Sequence, residues 1–211
     1  MKQFFSLEKY NYFSSSTKAC GGHFCDLIKA FACVNHDILL NKLHYCGIRR
    51  TSLSWFQSYL EKRKQKVCLR PDMHDLEASS EWEEIDIGVL QGSILGLLTF
   101  IIYVNDLPYG LHLGNKRVMF TDDTSVLLKA DNDAELKSKI NYVLEYMAEW
   151  FSANGIFIEY GKTNIMKFTP SNSQNEIFQI IHKNGLLIGI SNTKYLGIEL
   201  DKNINWKNHI Q

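Results

Sequence analysis

The stretch Lys116-Arg117-Val118-Met119-Phe120-Thr121-Asp122-Asp123-Thr124-Ser125-Val126-Leu127-Leu128-Lys129 decides the fold class. Apolar residues alternate through Val118 and Phe120, break at Thr121-Asp122-Asp123-Thr124, and resume at Val126 and Leu128. A period of two on both sides of a polar tetrad predicts two short antiparallel strands around a tight turn. Aspartates suit such a turn for a local reason, since the side chain bonds nearby backbone amides. A second carboxylate changes the weight of that reading. His23-Phe24-Cys25-Asp26-Leu27 reads as a strand that ends at Asp26. Two strands of one sheet, each ending in aspartate, can present their carboxylates to one point.

The rest of the chain supplies helices and more short strands. Ile38, Leu39 and Leu43 predict a helix over 37–45 that stops at Gly47. Leu53, Phe56, Tyr59 and Leu60 share one face of a second helix over 52–60. A strand follows at Val67-Cys68-Leu69, then a polar, acidic loop or exposed hairpin over 72–84. Gln91-Gly92-Ser93 opens an apolar helix that ends near Asn105-Asp106. Over 132–153, Leu136, Ile140, Val143, Leu144, Met147 and Phe151 keep the helical period, and Asn132 with Glu135 resembles a capping box. Strands are expected at 156–159, 165–168, 177–181 and 186–190, with Asn184-Gly185 as a hairpin turn between the last two. Short strands mixed with helices, without regular βαβ alternation, predict an α+β fold with an antiparallel sheet packed on helices.

Composition narrows the function classes. The 211 residues include 45% apolar and 12% aromatic residues and three prolines, which excludes a disordered chain and a Pro-rich linker. Lys and Arg number 23, as do Asp and Glu, so no global positive field favours nucleic acid. A local strip, Lys62, Arg63, Lys64 and Lys66, reads first as a solvated face and second as a phosphate contact. Cys20, Cys25, Cys33, Cys46 and Cys68 are odd in number and lack C-x-x-C spacing, which predicts reduced, mostly buried thiols. The start of the chain has no signal-peptide run, and the most apolar window, 94–104, falls short of the ~20 residues of a membrane span. An intracellular protein of the nucleus or cytoplasm, neither secreted nor membrane-bound, is the expectation.

Carboxylates crowded at one point repel each other unless cations sit between them. Mg²⁺ takes such oxygen ligands while keeping waters and substrate phosphates in its shell. Two ions ~3.5–4 Å apart stabilise both oxygens of an in-line phosphoryl displacement.

Three segments carry a family resemblance in order along the chain. Asp26-Leu27-Ile28-Lys29-Ala30-Phe31, Gly88-Val89-Leu90-Gln91-Gly92-Ser93-Ile94-Leu95-Gly96 and Phe120-Thr121-Asp122-Asp123-Thr124 resemble motifs A, B and C of reverse transcriptases. The words Val34–Leu40, Tyr103–Pro108, Gly161-Lys162-Thr163 and Lys194–Gly197 resemble those of non-LTR retrotransposon polymerases of the LINE type, jockey-like. The resemblance covers about residues 20–211 and implies an RNA-directed DNA polymerase palm. It implies Asp26, Asp122 and Asp123 as catalytic ligands of two Mg²⁺ ions, with Mn²⁺ as a substitute. Phe31 falls on the steric gate that excludes a ribose 2′-OH; read from its residue type alone it is a core aromatic. Gln91 and Gly92 would lie against the templating base and incoming nucleotide. Lys162 matches the lysine that protonates the pyrophosphate leaving group, or is a solvated surface lysine. The implied partners are an RNA template, a DNA primer and deoxynucleoside triphosphates, and no membrane.

The departures are specific. Ala32 stands where the family usually has Asp, Leu90 and Leu97 where it has proline, and Thr121 where it has alanine. Only 25 residues precede Asp26, so the expectation is a truncated copy with fingers and thumb largely missing and no endonuclease. Residues 1–19 form a lead-in, 20–170 the palm with motifs A to D, and 171–211 a hairpin and the start of the palm–thumb connection. Holding the primer 3′-OH against the triphosphate contributes ~7–11 kcal/mol in well-oriented systems. A palm without the parts that do this is expected to polymerise poorly. Two rivals remain: a catalytically inactive palm-like remnant with weak or no nucleic-acid binding, and a metal-dependent phosphohydrolase, in which Gln91-Gly92 has no role.

Overall fold

Ala19-Cys20-Gly21-Gly22-His23-Phe24-Cys25 forms β1, a strand buried at every position. The computed structural model describes residues 19–69, 78–107, 116–120, 123–169, 178–182, 185–195 and 198–203, and the backbone alone at 116–120, 123, 185, 195 and 198. After β1 (Ala19–Cys25) come a 3₁₀ turn (Ala30–Cys33), α1 (His36–Tyr45), α2 (Thr51–Leu60), β2 (Arg63–Gln65), β3 (Cys68–Leu69), β4 (Ala78–Ser79), β5 (Glu83–Ile85) and α3 (Ile94–Val104). Then follow β6 (Lys116–Phe120), β7 (Asp123–Ala130), α4 (Asp133–Ala153), β8 (Asn164–Phe168), β9 (Gln179–His182), β10 (Gly185–Ile188), β11 (Asn192–Tyr195) and β12 (Ile198–Asp201). They divide into two units. One spans Lys29–Asp106 with Asn154–Ile156, and the other holds the remaining elements.

In the larger unit, a four-stranded antiparallel sheet runs in the order β6-β7-β1-β8. β1 is central and covered on both faces. On one face lie Cys20, Phe24, Met166, Phe168 and Leu200. On the other, α4 packs against β1 and β7 through a stripe of fully buried residues, Leu136, Ile140, Val143, Leu144, Met147 and Phe151. The sequence predicts a strand only from His23, because Gly21 and Gly22 weaken any strand reading. Both glycines are close-approach positions. A Cβ on Gly21 would lie 3.2 Å from Leu136, and one on Gly22 3.0 Å from the Phe24 ring.

The cap on α4 is the one expected. Asn132 Oδ1 accepts from the Glu135 amide at 2.9 Å, and Glu135 Oε2 accepts from the Asp131 amide at 2.8 Å. Lys139, one turn on, bonds Glu135 at 2.7 Å and holds its carboxyl below the usual range. β9 and β10 pair antiparallel with His182 opposite Gly185, as the hairpin signal predicts, although Asn184 itself lies outside the described residues. The β11–β12 pair was not legible, being four residues a side without an Asn-Gly or Asp-Gly signal. The expected strand over 156–159 reduces to one bridge, Leu27 to Ile158, because the chain turns at once after Glu159.

In the smaller unit, α1 and α3 are tied by polar contacts between two words that looked independent in the sequence. Asn35 caps α1 by accepting from the Ile38 amide, and its own amide donates to Tyr103 Oη. Tyr103 Oη donates to the Asn154 carbonyl at 2.6 Å, and Lys42 Nζ donates to the Tyr103 carbonyl and to Asp106 Oδ1 at 2.7 Å. Burial raises the Tyr103 pKa, keeping that phenol a donor. The polar segment expected as loop or hairpin is partly laddered, β2 pairing with β5 and β3 with β4. Cys46 and Cys68 are exposed rather than buried, whereas burial pushes the thiols of Cys20 and Cys25 up to about 12. No helix among the described residues is long and apolar enough to cross a membrane.

Two stability predictions follow from buried polar groups. His23 is fully buried, both ring nitrogens lack a hydrogen-bond partner among the described residues, and burial followed by repulsion from His182 lowers its pKa to about 4. The unfolded chain takes up a proton below about pH 6.5 that the folded chain refuses. Stability is therefore fully present above that pH and declines as pH falls toward about 4, by on the order of 3 kcal/mol in all. Urea midpoints measured from pH 7.5 to 4.5 should fall accordingly, and His23→Gln should flatten the slope. Tyr103→Phe removes the hydroxyl that serves Asn35 and Asn154, and should lower unfolding free energy by about 1–2 kcal/mol in the same assay.

Candidate active site

Asp26 follows directly on β1, where the strand leaves the sheet. Its Oδ1 accepts from the Leu27 amide at 3.0 Å, and its carbonyl accepts from the Glu159 amide at 2.9 Å. The Ile28 amide donates to the Phe157 carbonyl, so residues 26–28 and 157–159 run antiparallel side by side. The chain then folds into a tight turn. The amides of Lys162 and Thr163 and the Thr163 hydroxyl all donate to the Glu159 carbonyl, at 2.9–3.0 Å. This turn carries Lys162 back over the strand end, placing Nζ 3.7 Å from Asp26 Oδ2. The Asp26 side chain is 33% exposed and the Lys162 side chain 69%; Oδ1 is bonded to backbone, and Oδ2 faces the lysine.

The β1–β7 ladder ends with Cys25 opposite Thr124. Extending that register by one step sets Asp26 opposite Asp123. Asp123 is the first residue of β7 and pairs with Phe120 of β6. The sequence places both aspartates in the turn; instead Asp123 belongs to the strand, because the ladder of β6 and β7 closes at that pair. Asp122 lies outside the described residues, as does the side chain of Asp123. Asp26, Lys162 and the Asp123 backbone are thus gathered at one end of the sheet.

The other expected residues lie in the smaller unit. Phe31 sits in the 3₁₀ turn, which Lys29 enters with φ of 44°, in the left-handed region. Its ring is buried and stacks on Phe100 with centroids 4.5 Å apart. The Val89 amide donates to the Phe31 carbonyl and the Gly88 amide to the Val34 carbonyl, which lays the glycine-rich segment along the 3₁₀ turn. Gly88 is required there: φ is 90°, and a Cβ would lie 2.8 Å from the Ala32 carbonyl oxygen. Gln91 and Gly92 are exposed, Gly92 has φ of 86°, and a Cβ on it would point into open space. Ser93 closes the loop by capping α3 through the Gly96 amide at 2.9 Å. Two contributors were missed from sequence: the Glu159 carbonyl, which organises the lysine turn, and Tyr103, which ties the flanking words. Backbone carbonyls leave no residue-type signal, and a tyrosine in an apolar run reads as core.

A divalent cation fits the chemistry of the donors at the strand end, since aspartate oxygens are the hard ligands that Mg²⁺ takes. Among the described residues, which include neither Asp122 nor the Asp123 side chain, no three His, Cys, Asp or Glu side chains gather as a metal-binding group.

Comparison with known proteins bears on the family and the fold. The chain is 27% identical, over 91% of its length, to a probable RNA-directed DNA polymerase from transposon BS of Drosophila melanogaster. It is 28% identical, over 97% of its length, to the RNA-directed DNA polymerase from mobile element jockey of Drosophila funebris. In each case it spans 21% of that protein, about a fifth. Its fold is similar to an apo telomerase from Candida tropicalis truncated from its C-terminal domain, with a TM-score of 0.57 at 11% identity, covering 96% of this chain and 37% of that one. It is also similar to a Candida albicans telomerase in complex with a TWJ fragment of telomeric RNA, with a TM-score of 0.51 at 12% identity, covering 96% and 32%. At such identities the likeness is one of fold, and it is the palm-like α+β architecture described above. Residues 2–200 match the family described as reverse transcriptase (RNA-dependent DNA polymerase), and the chain belongs to that family, in its non-LTR retrotransposon branch.

Proposed function

We propose that this chain carries the palm of a retrotransposon reverse transcriptase, over about residues 20–170, which adds deoxynucleotides to a DNA primer on an RNA template. The observation that carries the reading is the approach of Lys162 Nζ to Asp26 Oδ2 at the end of β1, one residue beyond its last pair with β7, Cys25 with Thr124. Asp26, Asp122 and Asp123 would hold two Mg²⁺ ions, or Mn²⁺ in their place. Bound there, the cations would neutralise charge on the attacking and leaving oxygens of an in-line displacement. Asp26 is suited to this role because only Oδ1 is engaged by backbone. Lys162 holds a proton at Nζ beside the reacting centre and donates it to the pyrophosphate as it leaves. Gln91 and Gly92 offer an exposed loop, open above Gly92, against which a base pair can lie. Phe31, fixed from behind by Phe100, excludes a 2′-OH.

Metal binding by the purified chain tests the centre first. In Mn²⁺ titration calorimetry, Asp26→Asn should weaken affinity at least tenfold. Lys162→Ala should act in the opposite direction and strengthen it a few-fold, because an ammonium at that distance competes with the metal for the same oxygen, by about 1 kcal/mol in exposed surroundings. Equal affinity in the chain and in Asp26→Asn would sink the assignment.

Primer extension on an RNA template tests the reaction. Any extension should be abolished by Asp26→Asn and slowed by Lys162→Ala with little change in nucleotide KM. Phe31→Val, which keeps the site apolar, should raise ribonucleotide incorporation relative to deoxynucleotide. Unchanged discrimination would leave Phe31 a packing residue for Phe100.

A further inference from the structure

Helix α3 is apolar on every side. Its one polar side chain besides Tyr103, Thr99, bonds back to the carbonyls of Leu95 and Gly96 at 2.7 and 3.1 Å. One face, made by Gly96, Thr99, Phe100, Tyr103 and Val104, is buried in the smaller unit. The opposite face is bare. Ile94 is 88% exposed, and Leu97, Leu98 and Ile101 lie between 41% and 47%. These four stand at i, i+3, i+4 and i+7, the spacing of a helix–helix seam. Ile87 and Leu90, just before the helix, are each more than half exposed and widen the patch. A helix apolar all round is ordinarily covered all round, and contiguous exposed patches of this kind mark interaction sites.

We propose that this face is a two-fold interface through which α3 packs against α3 of a second copy of the chain. Self-association suits it for three reasons. An isologous contact sets a patch against itself, so any charge within it would meet its own copy. Here no charged residue occurs from Ile87 through Asn105, and Asp106 beyond it is already paired with Lys42 at 2.7 Å. Complete burial of Ile87, Leu90, Ile94, Leu97, Leu98 and Ile101 would remove on the order of 600 Å² per copy from water, which reaches the lower bound of ~1,200 Å² for a stable interface once both copies are counted. A lipid surface is the poorer match, since a membrane-binding helix borders its apolar face with Lys and Arg, and α3 has neither.

Sedimentation velocity of the full chain from 1 to 100 µM tests the interface. A reversible monomer–dimer equilibrium is expected. Leu98→Lys and Ile101→Lys should each weaken the dimer at least tenfold with unchanged far-ultraviolet circular dichroism, while Tyr142→Lys, also on an exposed apolar residue, should leave it intact. Hydrogen–deuterium exchange of the unmodified chain provides a readout without substitution. Amides near residues 94–101 should exchange faster on dilution through the dimer range. A monomer throughout, association indifferent to both lysine substitutions, exchange unaltered by dilution, or open-ended aggregation in place of a discrete dimer would each overturn the proposal.

Discussion

The pairing of β1 with β7 on one side and β8 on the other sets every later step in the larger unit. Because β1 is covered on both faces, its residues must serve two packing layers at once. Gly21 makes room for Leu136 of α4, and Gly22 for Phe24 and Leu127. A Cβ at Gly21 would crowd the Leu136 side chain at 3.2 Å and the Met166 carbonyl oxygen at 3.3 Å, so one of them would have to give way. The same ladder fixes the register that ends at Cys25 and Thr124. A slip of one residue would turn Phe24 out of its cluster and carry Asp26 away from Asp123. Packing in the core and the place of the Asp26 and Asp123 backbones at the strand ends are therefore consequences of one constraint.

A second close approach organises the smaller unit. Gly88 passes so close to Ala32 that a Cβ on it would lie 2.8 Å from the Ala32 carbonyl oxygen, and two backbone hydrogen bonds, from Gly88 and Val89, hold it there. This contact joins two sequence words that lie over fifty residues apart and decides where Gln91 and Gly92 emerge. His36 Nε2 lies 2.8 Å from the Gly88 carbonyl, and Arg63 reaches the same oxygen more loosely at 3.5 Å. Lys42, Asp106 and Tyr103 then clamp the helix that follows. Burial depresses the Lys42 pKa, and the hydrogen bond and charge of the Asp106 carboxylate oppose that shift.

Much of this was legible in the sequence where local physics and tertiary structure agree. The period in α4, its Asn132–Glu135 cap, the apolar helix after Ser93 and the strands either side of Asp122 all follow from spacing and residue type. Errors arose where backbone or a remote partner decides. Gly21-Gly22 argues against a strand until α4 is seen lying on it. Residues 156–159 have strand propensity, yet the turn bonded to the Glu159 carbonyl cuts the ladder to one bridge. Asp123 reads as a turn residue, but its partner Phe120 draws it into β7. The exposed thiols of Cys46 and Cys68 fall on a helix end and a two-residue strand, where hydrophobic residue type does not ensure burial. Of the site itself, the residue types were readable, whereas the 3.7 Å approach of Lys162 to Asp26 depends on carbonyl geometry that no residue type records.

The committed and uncommitted oxygens of Asp26 explain why a strand end suits the proposed chemistry. A carboxylate within the β1 ladder would be buried like its neighbours and would pay heavy desolvation as an anion. One set in a free loop would lose its orientation. At the strand end, the Leu27 amide holds Oδ1 and restricts the group's orientation, while the partly exposed side chain sets Oδ2 toward Lys162. Lys162 is the partner present in the chain, and the exposure of both side chains makes that ion pair weak, of the ~0–1 kcal/mol class. A weak pair is the useful one here. In the proposed reaction it would keep Lys162 close enough to Asp26 to deliver a proton, and Asp26 Oδ2 would still be able to hold a divalent cation at small cost. A buried, fully formed pair at the same position would resist that exchange by several kcal/mol and hold both groups inert.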